Sequence, residues 1–326
     1  MLANRLKKRY KQLRKWAKRR EISCFRLYER DIPEYPLIID WYDGHLVVWF
    51  YDRTRDESDE QKSLFQDQVY EELVKGFEID AEKIWLKSRK KNKGLEQYEK
   101  CDQRAVEKLV VEQGLKFKTN LSDYVDTGLF LDHRPARAAL REYCSGLRVL
   151  NLFAYTGSFS VYALSGGAAS VTTVDMSQNY CAWARDNMEL NGFGLGENNK
   201  IVNRDCLAYL SDALNNSEVF DIIICDPPTF SNSKKMSESS FVIDRDHISL
   251  LSDCAQLLSQ KGFMLFSNNS RKFKLMEDDL PDYLHIQNSS SLTVPYDFRN
   301  RKIHQSWCLS TCDTGNDWIS LLRKSQ

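Results

Sequence analysis

The chain has 326 residues, 42% of them hydrophobic and 28% charged, with 46 basic and 46 acidic side chains and a formal net charge of zero. That length suits two globular domains with ample material for a core, and no run approaches the roughly 18 apolar residues of a membrane span or resembles a signal-peptide h-region. The nine cysteines, odd in number and without a Cys-x-x-Cys pair, fit reduced core thiols rather than disulfides or a zinc centre, and no metal is expected.

Leu2, Leu6, Tyr10, Leu13 and Trp16 recur at spacings of three and four. The pattern predicts an amphipathic helix with Lys7, Lys8, Lys11, Arg14, Lys15 and Lys18 on the opposite face. Residues 1–20 hold ten Lys or Arg and no acid, residues 52–82 are rich in Asp and Glu, and a second basic run covers 87–93. Patches of this kind meet a polyanion whatever the total charge, so RNA phosphates are the expected partner of the first helix. The second run reads equally as a solvated linker or an RNA contact. A basic amphipathic start also suits a mitochondrial presequence, but the lack of Ser in the first 20 residues and the direct run into a strand argue against one. A cytoplasmic location is expected.

Strands follow at 22–28, 37–42 and 45–51, the last two joined by Asp43-Gly44 as a type I′ hairpin. A helix is predicted over 61–75, with Leu64, Phe65, Val69 and Leu73 on one face, and a strand over 83–87. Residues 1–95 thus read as a basic helix with a small α+β RNA-binding domain, and residues 96–326 as the second domain. Residues 106–131 read as strands with a turn at Asp126-Thr127-Gly128, and a helix follows at about 136–144. From there strands at 148–152, 171–174, 200–203, 221–225 and 263–267 each lead into a helix, the order of a parallel sheet with helices on both faces.

The first of these strands runs into Asn151-Leu152-Phe153-Ala154-Tyr155-Thr156-Gly157, with Gly157 at the turn into a helix. The Gly-x-Gly-x-x-Gly cradle for a pyrophosphate is absent. One glycine still permits close backbone approach to a ligand, and the helix start offers free N–H groups. The next three strands end in acids: Asp175, placed for a ribose diol; Asp205, placed for the amino group of adenine; and Asp226. Each alone reads as well as a helix N-cap or a loop acid; the three in succession favour a nucleoside cofactor. The fourth strand, Ile222-Ile223-Ile224-Cys225, leads into Asp226-Pro227-Pro228-Thr229-Phe230. Two prolines end the ladder and stiffen the exit at the carboxyl edge of the sheet, Phe230 can stack a planar ring, and Asp226 can meet its polar edges. This is the layout of the Asp/Asn-Pro-Pro-aromatic loop in S-adenosylmethionine-dependent methyltransferases that act on nucleobases.

The segments Phe130-Leu131-Asp132-His133-Arg134, residues 151–160, Val174-Asp175-Met176-Ser177 and Asp226 through Lys234 together resemble the bacterial 23S rRNA methyltransferases of the RlmI/RlmK group, most of all its RlmK branch. So do Asn4-Arg5-Leu6-Lys7-Lys8, Pro33-Glu34-Tyr35-Pro36, Gly94-Leu95-Glu96-Gln97-Tyr98 and residues 297–304, so the resemblance covers nearly the whole chain. It implies an α/β fold, a Rossmann-like class I methyltransferase sheet with a small N-terminal α+β domain, that uses S-adenosylmethionine to form 7-methylguanosine in 23S rRNA or a large-subunit precursor. The expected cofactor contacts are Asn151, Phe153, Tyr155, Gly157, Asp175, Met176 and Asp205. Arg134 is a candidate for the methionine carboxylate, or equally a surface salt bridge. The base-side residues are Asp226, Pro227, Pro228 and Phe230. The fused enzyme of this group carries a THUMP domain and an N2-guanine methyltransferase ahead of this half; neither is found in these 326 residues, and a separate protein bearing them is a candidate partner.

Residue chemistry alone points elsewhere. N7 and O6 of guanine are both acceptors, so Asp226 cannot bond N7 directly, and an exocyclic amine at N2 is the simpler target. A 5-methylcytidine reaction needs a cysteine nucleophile, for which Cys225 is placed in an apolar strand and no cysteine follows the strand at 263–267. An inactive RNA-binding scaffold would commonly lose the turn glycine or the strand-end acids, which this chain keeps.

Overall fold

The first 20 residues contain no β-branched residue, Gly or Pro, and they form one helix, α1 (Leu2–Arg19), from strong helix formers. The computed structural model describes residues 1–51, 57–88, 106–124, 126–232, 240–312 and 314–325. Most of the basic run at 87–93, the segment Gly94–Tyr98, the expected division at 95/96 and Ser233-Lys234 lie outside the described residues. The chain divides into two units, residues 1–131 with 297–300, and residues 132–296 with 301–326.

In the first unit α1 buries Leu2, Leu6, Leu13 and Ala17 on a four-stranded sheet, each Leu contributing about 1.5–3 kcal/mol. The strands are β1 (Cys24–Glu29), β2 (Leu37–Tyr42), β3 (His45–Phe50) and β4 (Ile84–Ser88), in that order across the sheet. The first three are antiparallel; Asp43 and Gly44 hold positive φ as the I′ turn requires. β4 returns parallel to β3 through α2 (Asp59–Glu71), whose start is fixed by a capping box between Ser58 and Gln61. Phe65, Val69 and Leu73 are buried as expected, but Leu64 is 55% exposed: it falls one residue outside the apolar stripe. A π-turn at Glu72–Phe77 ends the helix in place of the regular turn predicted to residue 75.

The hairpin β5 (Glu107–Glu112) and β6 (Leu115–Asn120) turns at Gln113-Gly114, both at positive φ, not at Asp126-Thr127-Gly128. It belongs to this first unit. Ser23 and Val111 exchange bonds of 2.8 and 2.7 Å, and Ile22 bridges Glu112, so the division falls at 131/132, past the expected 95/96. The returning segment 297–300 is held by Arg26 and Glu29. Arg26 N–H donates to Asp297 at 2.8 Å, its guanidinium lies 4.1 Å over the Phe298 ring, and Glu29 accepts from the backbone of Arg299 and Asn300.

The second unit opens with α3 (Arg134–Tyr143), which has Pro135 in its first turn. The alternation then follows: β7 (Arg148–Leu152), α4 (Ser158–Ser165), β8 (Ser170–Asp175), α5 (Gln178–Leu190), β9 (Asn199–Asn203), α6 (Cys206–Asn215) and β10 (Phe220–Cys225). A two-residue pair, β11 (Phe230–Ser231) and β12 (Phe241–Val242), precedes α7 (Ile243–Gln256) and β13 (Leu258–Asn268). No helix follows β13: the stretch after it is polar and carries Pro281. The chain instead completes the sheet with β14 (His285–Asn288), α8 (Ser290–Thr293), β15 (Gln305–Ser310) and α9 (Thr314–Lys324). The seven strands lie in the order β14-β15-β13-β10-β7-β8-β9, with β15 antiparallel to both its neighbours and β13, β10, β7, β8 and β9 parallel.

Both faces are covered, which is why Ile222–Cys225 shows no alternation. Ile223, Cys225, Met264 and Phe266 pack in one core with α6 and α7; Ile222, Ile224, Phe263 and Leu265 pack in the other with α3, α4 and α9. This is the Rossmann-like sheet that the strand–helix order implies. No helix among the described residues is long and apolar enough to cross a membrane.

Candidate active site

At the carboxyl edge of β7 the backbone is strained. Phe153 and Tyr155 both hold φ of +52°, and Gly157 holds +72°. Phe153 N–H donates to Cys206 Sγ at 3.2 Å, and Tyr155 N–H donates to Asp175 Oδ2 at 2.8 Å, so β8 and α6 hold the loop. The expected close approach at Gly157 is made by protein: a Cβ there would stand 2.7 Å from Ala184 Cβ on α5. Gly157→Ala is therefore expected to lose about 2–5 kcal/mol of stability, from a left-handed backbone penalty of about 1–2 and an overpacking penalty of about 1–3. A urea titration reads this loss. Asn151 is buried in β7 and donates to Ser160 Oγ at 2.9 Å, which also accepts from Thr173 at 2.8 Å. It braces α4 against the sheet.

Asp175 ends β8. Its Oδ1 accepts from Ser177 N–H and its Oδ2 from Tyr155 N–H, both at 2.8 Å, so each oxygen keeps a lone pair for another donor. Burial pushes its carboxyl up to about 6, against the pull of those two bonds. Met176 beside it is half-buried. Asp205 caps α6, its Oδ1 accepting from Ala208 N–H at 2.9 Å. The helix-cap reading of that acid thus applies, whatever its other oxygen does. Arg134 is 2% exposed at the start of α3, which rules out the surface salt bridge.

Asp226 follows β10 and is half-buried. Ser267 Oγ, from the adjacent β13, donates to its Oδ1 at 2.6 Å, and His133 Nε2 lies 3.6 Å from its Oδ2. Pro227 is buried, Pro228 half-buried and Phe230 42% exposed, so of the four expected base-side residues Asp226, Pro228 and Phe230 present surface that a base could touch, and Thr229 between them is exposed as well. Thr229 Oγ1 donates to Asn269 at 2.9 Å and Phe230 pairs with Val242, which anchor the loop. Cys225 is fully buried and its thiol is pushed far up, so it is not poised as the nucleophile of a C5 reaction.

His133 and His304 carry no role in the sequence reading, yet they frame this acid. Their rings stack at 4.4 Å and 7°. His304 Nδ1 faces Asp132 Oδ2 at 3.0 Å; with Asp132 accepting that proton, Nε2 is left to accept from Thr293 Oγ1 at 2.8 Å. Burial lowers the His133 pKa, with Asp226 opposing, and its Nδ1 is buried without a partner among the described residues. Asp132, His133 and His304 place ligand atoms within 4.8 Å of one another, but the stacked rings keep their in-plane lone pairs parallel, so as placed they do not converge on one cation. The available signal was rarity: the chain has five histidines, and two of them lie in the quoted segments.

The arrangement is a strained, glycine-terminated loop beside a half-buried acid, with a second acid and an exposed ring one strand away. Two relatives named "Ribosomal RNA large subunit methyltransferase K/L" are similar to this chain. That of Shewanella sp. (strain MR-4) is 46% identical over 311 residues, and that of Vibrio cholerae serotype O1 (strain ATCC 39315) 44% over 310; each match covers 94% of this chain and 43% of the relative. The chain spans less than half the length of these relatives. Among solved structures, a putative methyltransferase complexed with SAH superposes with a TM-score of 0.76 at 22% identity, and a putative SAM-dependent methyltransferase from Streptococcus mutans with 0.74 at 21%. Both cover 94% of this chain and 80% of the other, and they show the fold. The family model described as S-adenosylmethionine-dependent methyltransferase matches residues 24–284, and the chain belongs to that family.

Proposed function

We propose that the chain methylates N7 of a guanosine in 23S ribosomal RNA or its large-subunit precursor. The ribosomal RNA target is taken from the K/L relatives, and the preference for N7 over N2 from the resemblance of nearly the whole chain to the RlmK branch; each oxygen of Asp226 has a neighbour. Ser267 donates to one and His133 lies beside the other. A carboxylate so placed still keeps lone pairs at both oxygens, as Asp175 does. It is well placed as a fixed negative charge near a purine on which positive charge develops.

S-adenosylmethionine supplies an electrophilic methyl group when bound. The residues present fit it: Asp175 keeps lone pairs suited to a ribose diol, and the loop at 153–157 is held by β8 and α6. Phe153, Tyr155, Met176 and Asp205 are assigned to the nucleoside side, and Arg134 to the methionine carboxylate. Guanine N7 bears an in-plane lone pair and no proton, so the protein needs no general base and acts by orientation. His133, held below its ordinary pKa by burial, is a weaker base than free imidazole, which suits a reaction without proton abstraction. Phe230 stacks the base. A protein carrying the THUMP and N2-methyltransferase functions remains the proposed docking partner.

Nucleoside analysis of 23S rRNA treated with this protein and S-adenosylmethionine is expected to yield 7-methylguanosine. N2-methylguanosine would instead assign Asp226 to the amine, and 5-methylcytidine or no product would reject both assignments.

A further inference from the structure

Apart from the candidate active site, the first unit holds a cavity of about 350 Å3 beside α1. Its walls are aromatic. Tyr10 lies 4.7 Å from Trp41 and 5.9 Å from Phe77 between ring centroids, and all three rings are only half-buried. Tyr10 stands in the apolar stripe of α1 between Leu6 and Leu13, which are fully buried, yet its own ring remains partly open. On the same cavity stand Lys7, Lys11, Arg14 and Glu78. Lys7 donates to Glu78 at 2.5 Å, whereas Lys11 and Arg14 are exposed and make no ion pair among the described residues. The backbone on this side is irregular: the π-turn Glu72–Phe77 ends in Glu78 at φ +63°. Gly76 lets that turn approach α1, since a Cβ there would stand 2.6 Å from Ala3 Cβ. π-turns and left-handed non-glycine residues are frequent at binding sites.

We propose that this cavity binds one unpaired nucleotide of an RNA, with the base among Tyr10, Trp41 and Phe77 and the phosphate on Lys11 and Arg14. The volume lies at the lower end of the roughly 300–1,000 Å3 of ligand pockets, enough for a nucleotide. Aromatic walls alone suit any flat apolar group; two unpaired cations on the rim select an anionic one, and a nucleotide combines both properties. Glu78 adds an acceptor for an amino-bearing base edge. Base faces are accessible only in single strands, loops and bulges, so the site selects unpaired RNA over duplex. The inference extends the RNA reading to a second site. Its readout is RNA binding without methyl transfer, so an error in the N7 assignment leaves it standing.

The test is anisotropy titration of a labelled single-stranded oligoribonucleotide with the full chain across a salt series. Reversing Lys11 and Arg14 to Glu together should flatten the slope of log K against log salt by about 0.7, the contribution of the one single-strand phosphate they hold. Trp41→Leu should weaken binding roughly 5- to 150-fold at an unchanged slope. Neither change should alter S-adenosylmethionine affinity. A blunt duplex should bind more weakly and ignore Trp41→Leu. Because Trp41 also packs against Phe25, a thermal melt accompanies that variant. Photocrosslinking of the unmodified protein to an oligomer bearing one 5-iodouridine gives an independent reading, with adducts expected on Tyr10, Trp41 or Phe77. Adducts confined to other residues, equal affinity for duplex and single strand, or displacement by free mononucleotides as readily as by the oligomer would each overturn the proposal.

Discussion

Asp226→Ala is expected to lower kcat for methyl transfer by about 10²- to 10³-fold, the usual loss when one preorganised electrostatic group is removed from a transition state. Cofactor affinity should hold, because the acid is assigned to the base side of the site and lies two strands from Asp175, with β7 between. The variant leaves the Ser267 hydroxyl and His133 without their acidic neighbour, at a cost of about 1–3 kcal/mol in stability, so melting must be followed alongside activity. Asp226→Asn separates charge from shape: it keeps an acceptor for Ser267 but not the countercharge, and should lose most of the same rate. Phe230 is exposed and its removal leaves the fold intact; Phe230→Ala should lose about 1–3 kcal/mol of base stacking, seen mainly as a raised KM for RNA. Single-turnover transfer of a labelled methyl group checks both. Near wild-type rates for Asp226→Ala and Phe230→Ala would remove this loop from the mechanism.

What the sequence revealed and what it hid follow from how far apart the deciding residues lie. The buried run Ile222–Cys225, the Asp43-Gly44 turn and the acids at the strand ends are local patterns, and the structure has them in place. Gly157 was legible as a special position, but its reason was not. The atom it accommodates belongs to Ala184, 27 residues on, and no local pattern pairs a turn glycine with a particular helix residue. The stack of His133 on His304 joins positions 171 apart, and Ser267 reaches Asp226 only because β13 lies next to β10. The Gln113-Gly114 turn lost to Asp126-Thr127-Gly128 because the latter carries the stronger turn composition; the ladder between β5 and β6 settles the matter through cross-strand pairing. β14 and β15 are short or bounded by polar segments, and they become strands by pairing with β13 and with each other.

Asp175 offers the second large effect, and its pH dependence can be worked out in sign. Burial pushes its carboxyl up to about 6 from an ordinary value of 3.8. Between about 4 and 6 the folded chain therefore holds a proton that the unfolded chain has lost. The stability associated with this group is fully present below that window and is lost as pH rises through it. Cofactor binding runs the other way. A ribose diol donates hydrogen bonds, the ionised carboxylate is the stronger acceptor, and binding draws the pKa down. Affinity for S-adenosylmethionine should thus rise as pH is raised through about 6 and level off above it. The neighbouring thiols do not confuse the window: burial pushes Cys181 up to about 11 and Cys206 well above its ordinary value, so both stay neutral. Asp175→Ala removes charge-assisted bonds worth about 1.5–3 kcal/mol, a loss of roughly 10- to 150-fold in affinity at pH 8, and should abolish the rise. It also leaves the N–H groups of Tyr155 and Ser177 without their acceptor, so part of the loss comes from a loosened loop. Ser177→Pro deletes one of those donors and keeps the carboxylate; because it also removes the Ser177 Oγ cap on Tyr180 N–H, its comparison with Ser177→Ala, which removes the cap alone, reports that part. Calorimetric titration from pH 5 to 8 distinguishes the cases: a wild-type affinity that does not change with pH, or an Asp175→Ala affinity equal to it, would place the ribose elsewhere on the sheet edge.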